Sequence, residues 1–352
     1  MRRRMLNNRT VIPAQAGIHN TVPLETTHEW KRQGWMMLAA LLLTVGTTQA
    51  QPYPTRPIRL VVPFPAGGTA DVIARGIANE AAAPLGQPFV IDNRGGANAI
   101  IGIDIVAKAP PDGHTLLCVT ASIVINPHIY LKLPYDVFRD FEPVTSAVLG
   151  TGYLLVLHPS VPAQSVKELI ALARDTHKVS YSSPGVGNTL HLAAELFATR
   201  AGVKLLHVPY KGVAPALNAV LAGEVQMTMI PPTIVMQHIK AGRVKAIAFT
   251  GASRFAGLPQ LPVMSEAGLS NIELTGAWHG WFAPAKTPAA VLSRLQQEIA
   301  KALQAPKMRE AIIAGGYEPD GRSPAEFRKF LRLEYERYAE MVRAANLTKT
   351  TY

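Results

Sequence analysis

Short apolar runs alternate with alanine-rich, helically periodic stretches along most of the chain. Residues 60–62, Leu-Val-Val, are apolar and β-branched, as a buried parallel strand requires. Pro63 and Pro65 end the run, because proline cannot donate to a ladder. Gly67-Gly68 allow a tight turn, and Thr69 is placed to cap the helix that follows. That helix continues over 73–83 and stops at Pro84 and Gly86. Phe89-Val90-Ile91 is the next strand, 93–98 a second glycine turn, and a helix follows to about Ala107. Residues 115–120 form a third strand ending in the polar Thr120 and Ser122. Three strand–helix units in about seventy residues predict a parallel sheet covered by helices.

The second half repeats the plan. Residues 153–157 are an apolar strand, and Ser165-Val166-Lys167-Glu168 is a capping box opening a helix to about Asp175. Val179-Ser180-Tyr181-Ser182 is a strand and 183–189 a third glycine turn, with a helix over 190–199. Strands follow at 205–208, 225–230 and 244–250, with Tyr210-Lys211-Gly212 opening a further turn and helix. A late strand at 278–284 precedes a helix capped by Thr287-Pro288, with proline at its first position. Ser323-Pro324-Ala325-Glu326 is another capping box. The last helix carries an apolar stripe of Phe327, Phe330, Leu331, Tyr335, Tyr338, Met341 and Val342, one packed face that is expected to lie on the first unit.

The 352 residues are enough for two domains, and 48% hydrophobic with 17% charged residues excludes a disordered chain. The formal charge is +11, of which residues 1–50 carry +4. The remainder is spread out, without the basic stripe and interleaved aromatics of a nucleic-acid partner. Lys31-Arg32, an apolar run over 35–45 and Thr48-Gln49-Ala50 have the order of a secretory signal peptide cleaved after Ala50. A retained anchor is the alternative, although the run is short for a membrane span. The stretch before Lys31 is long for a leader, so translation is expected to start downstream, with 1–30 an artefact of the gene model. The single cysteine, Cys118, excludes an internal disulfide. Its setting among Leu116, Leu117 and Val119 indicates a buried strand residue rather than a nucleophile.

Catalytic motifs are absent from the sequence: it has no His-Glu-x-x-His, no cysteine pair and no Gly-x-Ser-x-Gly. Gly185-Val186-Gly187 lacks the third glycine of a dinucleotide fingerprint. His191 is either a general base or a helix-face histidine hydrogen-bonded to the opposing domain. The feature that stands out is the pairing of 64–71 with 182–189. Each is a strand end, a glycine-rich loop and a helix start, and neither contains Lys or Arg. A carboxylate between two such loops would be bound by backbone amides and hydroxyls, each charge-assisted bond contributing about 1.5–3 kcal/mol and each helix end about 0.3–2 kcal/mol. The alternative is that one of the loops is merely a turn.

Several stretches in order carry a family resemblance. They are Arg56-Pro57-Ile58 before Val62-Pro63-Phe64-Pro65-Ala66-Gly67-Gly68 with Asp71, Asp112-Gly113-His114-Thr115-Leu116, Tyr135-Asp136 with Asp140-Phe141-Glu142-Pro143-Val144, Ser182-Ser183-Pro184-Gly185-Val186-Gly187 with His191, Val208-Pro209-Tyr210-Lys211-Gly212, and Phe282-Ala283-Pro284 with Thr287-Pro288. From about Tyr53 to Asn346 the chain resembles the Bug (TctC-like) extracytoplasmic solute receptors of tripartite tricarboxylate transporters. The resemblance implies an α/β, two-domain, type II-like periplasmic-binding fold with its ligand cleft between the domains. Together with the composition shift after Val144 it implies a discontinuous first domain, 51–150 plus 278–352, and a second over 151–277, with crossovers near 145–153 and 273–281. It implies a periplasmic protein that binds a small carboxylate without catalysis or cofactor and delivers it to the membrane subunits of such a transporter. The ligand is expected among Phe64, Ala66, Gly67, Gly68 and Asp71 of the first loop and Ser183, Gly185, Gly187, Asn188, Thr189 and His191 of the second, with Thr120, Ser122 and Tyr210 nearby. Two departures from the family pattern matter: a less proline-containing turn at Arg94-Gly95-Gly96, and Met227-Thr228-Met229-Ile230-Pro231-Pro232 where an aspartate is common. The second removes an acidic partner for an amino-acid ligand's ammonium. A sensor presenting its closed form to a membrane histidine kinase would have the same fold and site, and an exported hydrolase is the remaining alternative.

Overall fold

The run at 58–62 becomes β1 (Ile58–Val62), and its side chains divide between two cores by strand alternation. Ile58, Leu60 and Val62 enter one apolar cluster and Val61 the other, so the strand is buried on both faces. The computed structural model describes residues 53–351 apart from 177–178, 271, 273, 275 and 346, and the expected leader over 1–50 lies outside them. After β1 come α1 (Thr69–Leu85), β2 (Phe89–Asn93), α2 (Ile100–Ala107), β3 (Thr115–Thr120), α3 (Ser122–Ile129) and β4 (Phe141–Gly150). β1 lies between β2 and β3, parallel to both, with Leu60 opposite Ile91 and Leu116.

The second sheet begins at β5 (Leu154–Leu157) and α4 (Val166–Thr176), followed by β6 (Ser180–Ser183), α5 (Thr189–Ala201), β7 (Leu206–Pro209), α6 (Val213–Leu221), β8 (Met227–Ile230), α7 (Pro232–Lys240) and β9 (Lys245–Phe249). Its order is β7-β6-β8-β5-β9, and β6 is parallel to both of its neighbours. The chain then supplies β10 (His279–Pro284), α8 (Ala289–Gln304), α9 (Pro306–Ala314), β11 (Tyr317–Pro319) and α10 (Pro324–Ala344). β10 and β11 return to the first sheet, whose order is β11-β4-β10-β3-β1-β2. Each sheet is thus a parallel trio extended by antiparallel strands, β10 in the first and β5 in the second. The links between sheets are 151–153 and 250–278.

α10 starts at a complete capping box. The Ser323 hydroxyl accepts from Glu326 N–H, and the Glu326 carboxylate accepts from Ser323 N–H. Phe327, Leu331, Tyr338 and Val342 are its buried face, packed on α3 and β4, and the helix also touches α5. Cys118 is fully buried in the first core. Burial, with the charge of Asp71 second, pushes its thiol up to about 12, which makes it inert as a nucleophile.

Several local expectations are corrected. Residues 145–150 belong to β4 rather than to the crossover; Pro143 and the polar Thr145 and Ser146 disguise this strand. The proline is accommodated where the β4–β10 register shifts, and the Thr145 hydroxyl donates to Arg322 O at 2.7 Å. Thr69 does not cap α1. Gly68 occupies the cap position without a side-chain bond, and α1 runs through Pro84 to end at a left-handed Gly86. Pro288 sits at the cap of α8, not at its first turn, and Thr287 donates to Pro284 O instead.

Candidate ligand-binding site

Three helices begin around one cavity. The start of α1 contributes Gly68, Thr69 and Ala70, the start of α5 contributes Asn188, Thr189 and Leu190, and the start of α6 contributes Val213 and Ala214. The first amides of a helix have no intrahelical acceptor. Asn188 Oδ1 accepts from Leu190 N–H at 3.0 Å. Among the described residues no acceptor takes the N–H groups of Thr69, Ala70, Thr189, Val213 or Ala214. The centres of water-sized molecules can reach about 40 Å³ of the cavity, inside about 470 Å³ of atom-free space that includes open solvent. Phe64 and Pro65 form one wall, and Tyr153 and Ala277 come from the two links between sheets. Thr120, His279 and Tyr317 come from the ends of β3, β10 and β11.

None of these wall residues is Asp, Glu, Lys or Arg. The titratable ones are held neutral by burial. Burial lifts the Tyr153 phenol to about 12 against hydrogen bonds with Thr189 and the Ala277 backbone. It raises Tyr317 well above its ordinary value, with Tyr153 adding to the effect. It pulls His279 down to about 3. The positive potential in the cavity therefore comes from peptide dipoles, which favour an anion at each helix start. The buried Thr69 Oγ1 has no partner among the described residues.

The cavity brings together Phe64, Gly68, Thr120, Asn188 and Thr189 of the residues expected from the sequence. The others lie elsewhere, for identifiable reasons. Asp71 ties its own loop: its carboxylate accepts from Gly67 N–H, Arg75 Nε and Asn93 Nδ2, each at 2.9 Å. Burial acts to raise the Asp71 pKa, but the bonds from Arg75, Gly67 and Asn93 and the Arg75 charge outweigh it and hold the group below the usual carboxylate range. Gly67 thus spends its amide on Asp71, and Ala66 is exposed beside it. The Ser122 hydroxyl is 3.1 Å from Thr120 Oγ1 and 3.4 Å from Asn98 Oδ1. Ser183 Oγ bonds His207 Nε2 at 2.7 Å.

His191 is the clearest correction. Its Nδ1 accepts the Gly187 N–H at 3.0 Å, so it closes its own loop and makes no bond to the opposite sheet. The ring stacks on His207 with centroids 4.1 Å apart. Burial, then His207, pulls His191 to about 3, and burial takes His207 to about 4. A ring whose Nδ1 lone pair is taken by the Gly187 N–H and whose basicity burial suppresses is a poor general base, and among the described residues it makes no interdomain hydrogen bond. Gly187 is accordingly not an amide donor to a ligand. Its φ of 77° requires glycine, and a Cβ there would collide with the Ile129 side chain of α3. Gly185 and Tyr210 line a separate outer hollow; Phe64 and Pro65 line both spaces and stand between them.

Sequence reasoning missed Tyr153, Leu190, Val213, Ala214, Ala277, His279 and Tyr317, and read the stretch holding Pro231 only as lacking an acidic group on the ligand side. One signal was available for His279, a histidine opening the otherwise apolar stretch Gly280-Trp281-Phe282-Ala283.

A family model described as "Tripartite tricarboxylate transporter family receptor" matches residues 73–347. The chain belongs to that family. It is 41% identical over 312 residues to the "UPF0065 protein in tcbD-tcbE intergenic region" of Pseudomonas sp. (strain P51), which covers 86% of this chain and 91% of that protein. Two solved structures are similar over their full lengths. One is an R. palustris protein with adipate, at 35% identity and TM-score 0.81, covering 85% of this chain and 100% of that one. The other is the periplasmic binding protein BugD, at 33% identity and TM-score 0.80, with the same coverage. The fold of this receptor-family chain is the two-domain α/β fold of periplasmic binding proteins.

Proposed function

We propose that this family member captures a small organic carboxylate in the cavity at the starts of α1, α5 and α6 and delivers it to the membrane subunits of a tripartite tricarboxylate-type transporter. The ligand is bound without turnover or cofactor. The domains are 51–150 plus 278–352 and 151–277, closing on the ligand about 151–153 and 250–278. The leader over 1–50 directs the protein to the periplasm and is cleaved.

One observation carries this function: unpartnered amides at three helix starts surround a cavity whose wall has no charged side chain. Such a site attracts an anion but cannot neutralise a cation. Three charge-assisted bonds at about 1.5–3 kcal/mol each approach the roughly 8 kcal/mol of a micromolar complex. Adipate bound to a relative of 35% identity supports the ligand class. Thermal-shift and calorimetric screens of the mature protein against carboxylates and their matched primary amides provide the test. Carboxylates should stabilise the protein and the amides should not; equal response to both would refute the anion site.

A further inference from the structure

Among the described residues, two polar atoms of the cavity wall, Thr69 Oγ1 and His279 Nδ1, have no hydrogen-bond partner, on side chains only 4% and 1% exposed. Thr69 stands at a helix start and belongs to the carboxylate site. His279 opens β10 of the first sheet, where it pairs with Thr120 across β10 and β3. Its Nε2 lies 3.3 Å from Tyr317 Oη. That phenol has no other hydrogen bond among the described residues. A Tyr317 O–H donating to Nε2 would leave the ring proton on Nδ1, and that is the tautomer the following proposal takes.

We infer that His279 determines the specificity of the cavity: its Nδ1–H donates to a second oxygen of the ligand, so the preferred ligand is a carboxylate carrying a further oxygen acceptor. A hydroxyl, a carbonyl or a second carboxylate supplies that acceptor. This role rests on the carboxylate-receptor function proposed above. A plain alkanoate would leave the buried N–H unpaired. An amino acid would set its ammonium against a donor, with no carboxylate in the wall to compensate. Burial keeps the imidazole neutral, which makes it a hydrogen-bond donor and not a counter-charge.

Calorimetry on the mature protein tests the inference with matched series of four and six carbons: butanoate, 4-hydroxybutanoate, succinate and 4-aminobutanoate, and hexanoate, 6-hydroxyhexanoate, adipate and 6-aminohexanoate. In at least one series an oxygen-terminated member should bind tenfold or more tighter than the plain and amino members. Comparison of the hydroxy acid with the diacid identifies which acceptor is preferred. His279→Phe should abolish the advantage, read as the ratio of plain-acid to oxygen-bearing-acid Kd within the same variant, and His279→Asn, which keeps a donor near the Nδ1 position, should restore part of that ratio. Nitrogen-15 chemical shifts of His279 in the wild type should place the proton on Nδ1, a readout independent of whether the variants fold. Equal binding of plain and oxygen-bearing acids, preference for an amino acid, an advantage that survives His279→Phe, or a proton on Nε2 would each overturn the role of His279 and leave the carboxylate function standing. Absence of binding by every acid would overturn that function, and this inference with it.

Discussion

Thr69→Val replaces a hydroxyl by a methyl of nearly the same shape at the start of α1. The backbone need not move, because Thr69 is the first helical residue and its side chain makes no cap. Its Oγ1 is buried without a partner among the described residues. Removing an unsatisfied buried hydroxyl should leave the free protein as stable as wild type or raise its stability by up to about 1 kcal/mol. In a protein of this size that is a melting shift of about 2 °C, extended from smaller domains. In the proposed complex the same hydroxyl would donate to the carboxylate, a bond of about 1.5–3 kcal/mol. The Kd should therefore rise about 10- to 150-fold. Calorimetry with adipate or the tightest carboxylate of a thermal-shift screen measures the second effect, and denaturation without ligand measures the first. Opposite signs are the expected outcome. An unchanged Kd would remove Thr69 from the site, and a large loss of stability in the free protein would show that its hydroxyl has a structural partner.

Gly68→Val should fold and lose carboxylate binding, because φ is −77° and a Cβ would meet only Pro65 O at 3.4 Å, leaving the added methyls to occupy the cavity; a folded variant with wild-type affinity would count against it. Gly187→Val should instead lose stability through its left-handed φ and the collision with Ile129, seen as a lower melting temperature with or without ligand. Cys118→Ala should cost about 1 kcal/mol of stability and leave affinity within a few-fold; rapid thiol labelling of the native protein would contradict its full burial. His191, His207 and His279 stay neutral in the fold down to about pH 3, 4 and 3, whereas the unfolded chain protonates them near pH 6.5. Unfolding therefore takes up protons in that window, so this contribution is fully present above about pH 6.5 and lost as pH falls toward about 3. The urea midpoint should be lower at pH 5 than at pH 7.5, and an unchanged midpoint would show that these rings do not resist protonation.

The parallel trios were legible in the sequence because each strand is a short apolar run bounded by Gly or Pro, as at 60–62 and in the glycine turn at 183–189. β4 was not, since Pro143, Thr145 and Ser146 imitate a loop and only pairing with β10 makes them strand. Of the site, the two glycine-rich loops were readable as helix starts. Which of their amides remain free was not, because Gly67 is claimed by Asp71 and Gly187 by His191 through side chains four residues further on. The α6 start was also readable, at Tyr210-Lys211-Gly212, but the wall of Tyr153, His279 and Tyr317 was hidden for another reason. These residues are brought together by two links between sheets and by a strand that returns late in the chain, so no local pattern records their proximity.

A crystal structure of the mature protein with the carboxylate that gives the largest thermal shift tests the anion site most directly. The ligand's carboxylate oxygens should lie within hydrogen-bond distance of the N–H groups of Thr69 or Ala70 on one side and Thr189 on the other, with no Lys or Arg side chain in contact. A carboxylate paired with a Lys or Arg side chain, or seated in the outer hollow beside Gly185 and Tyr210, would contradict it.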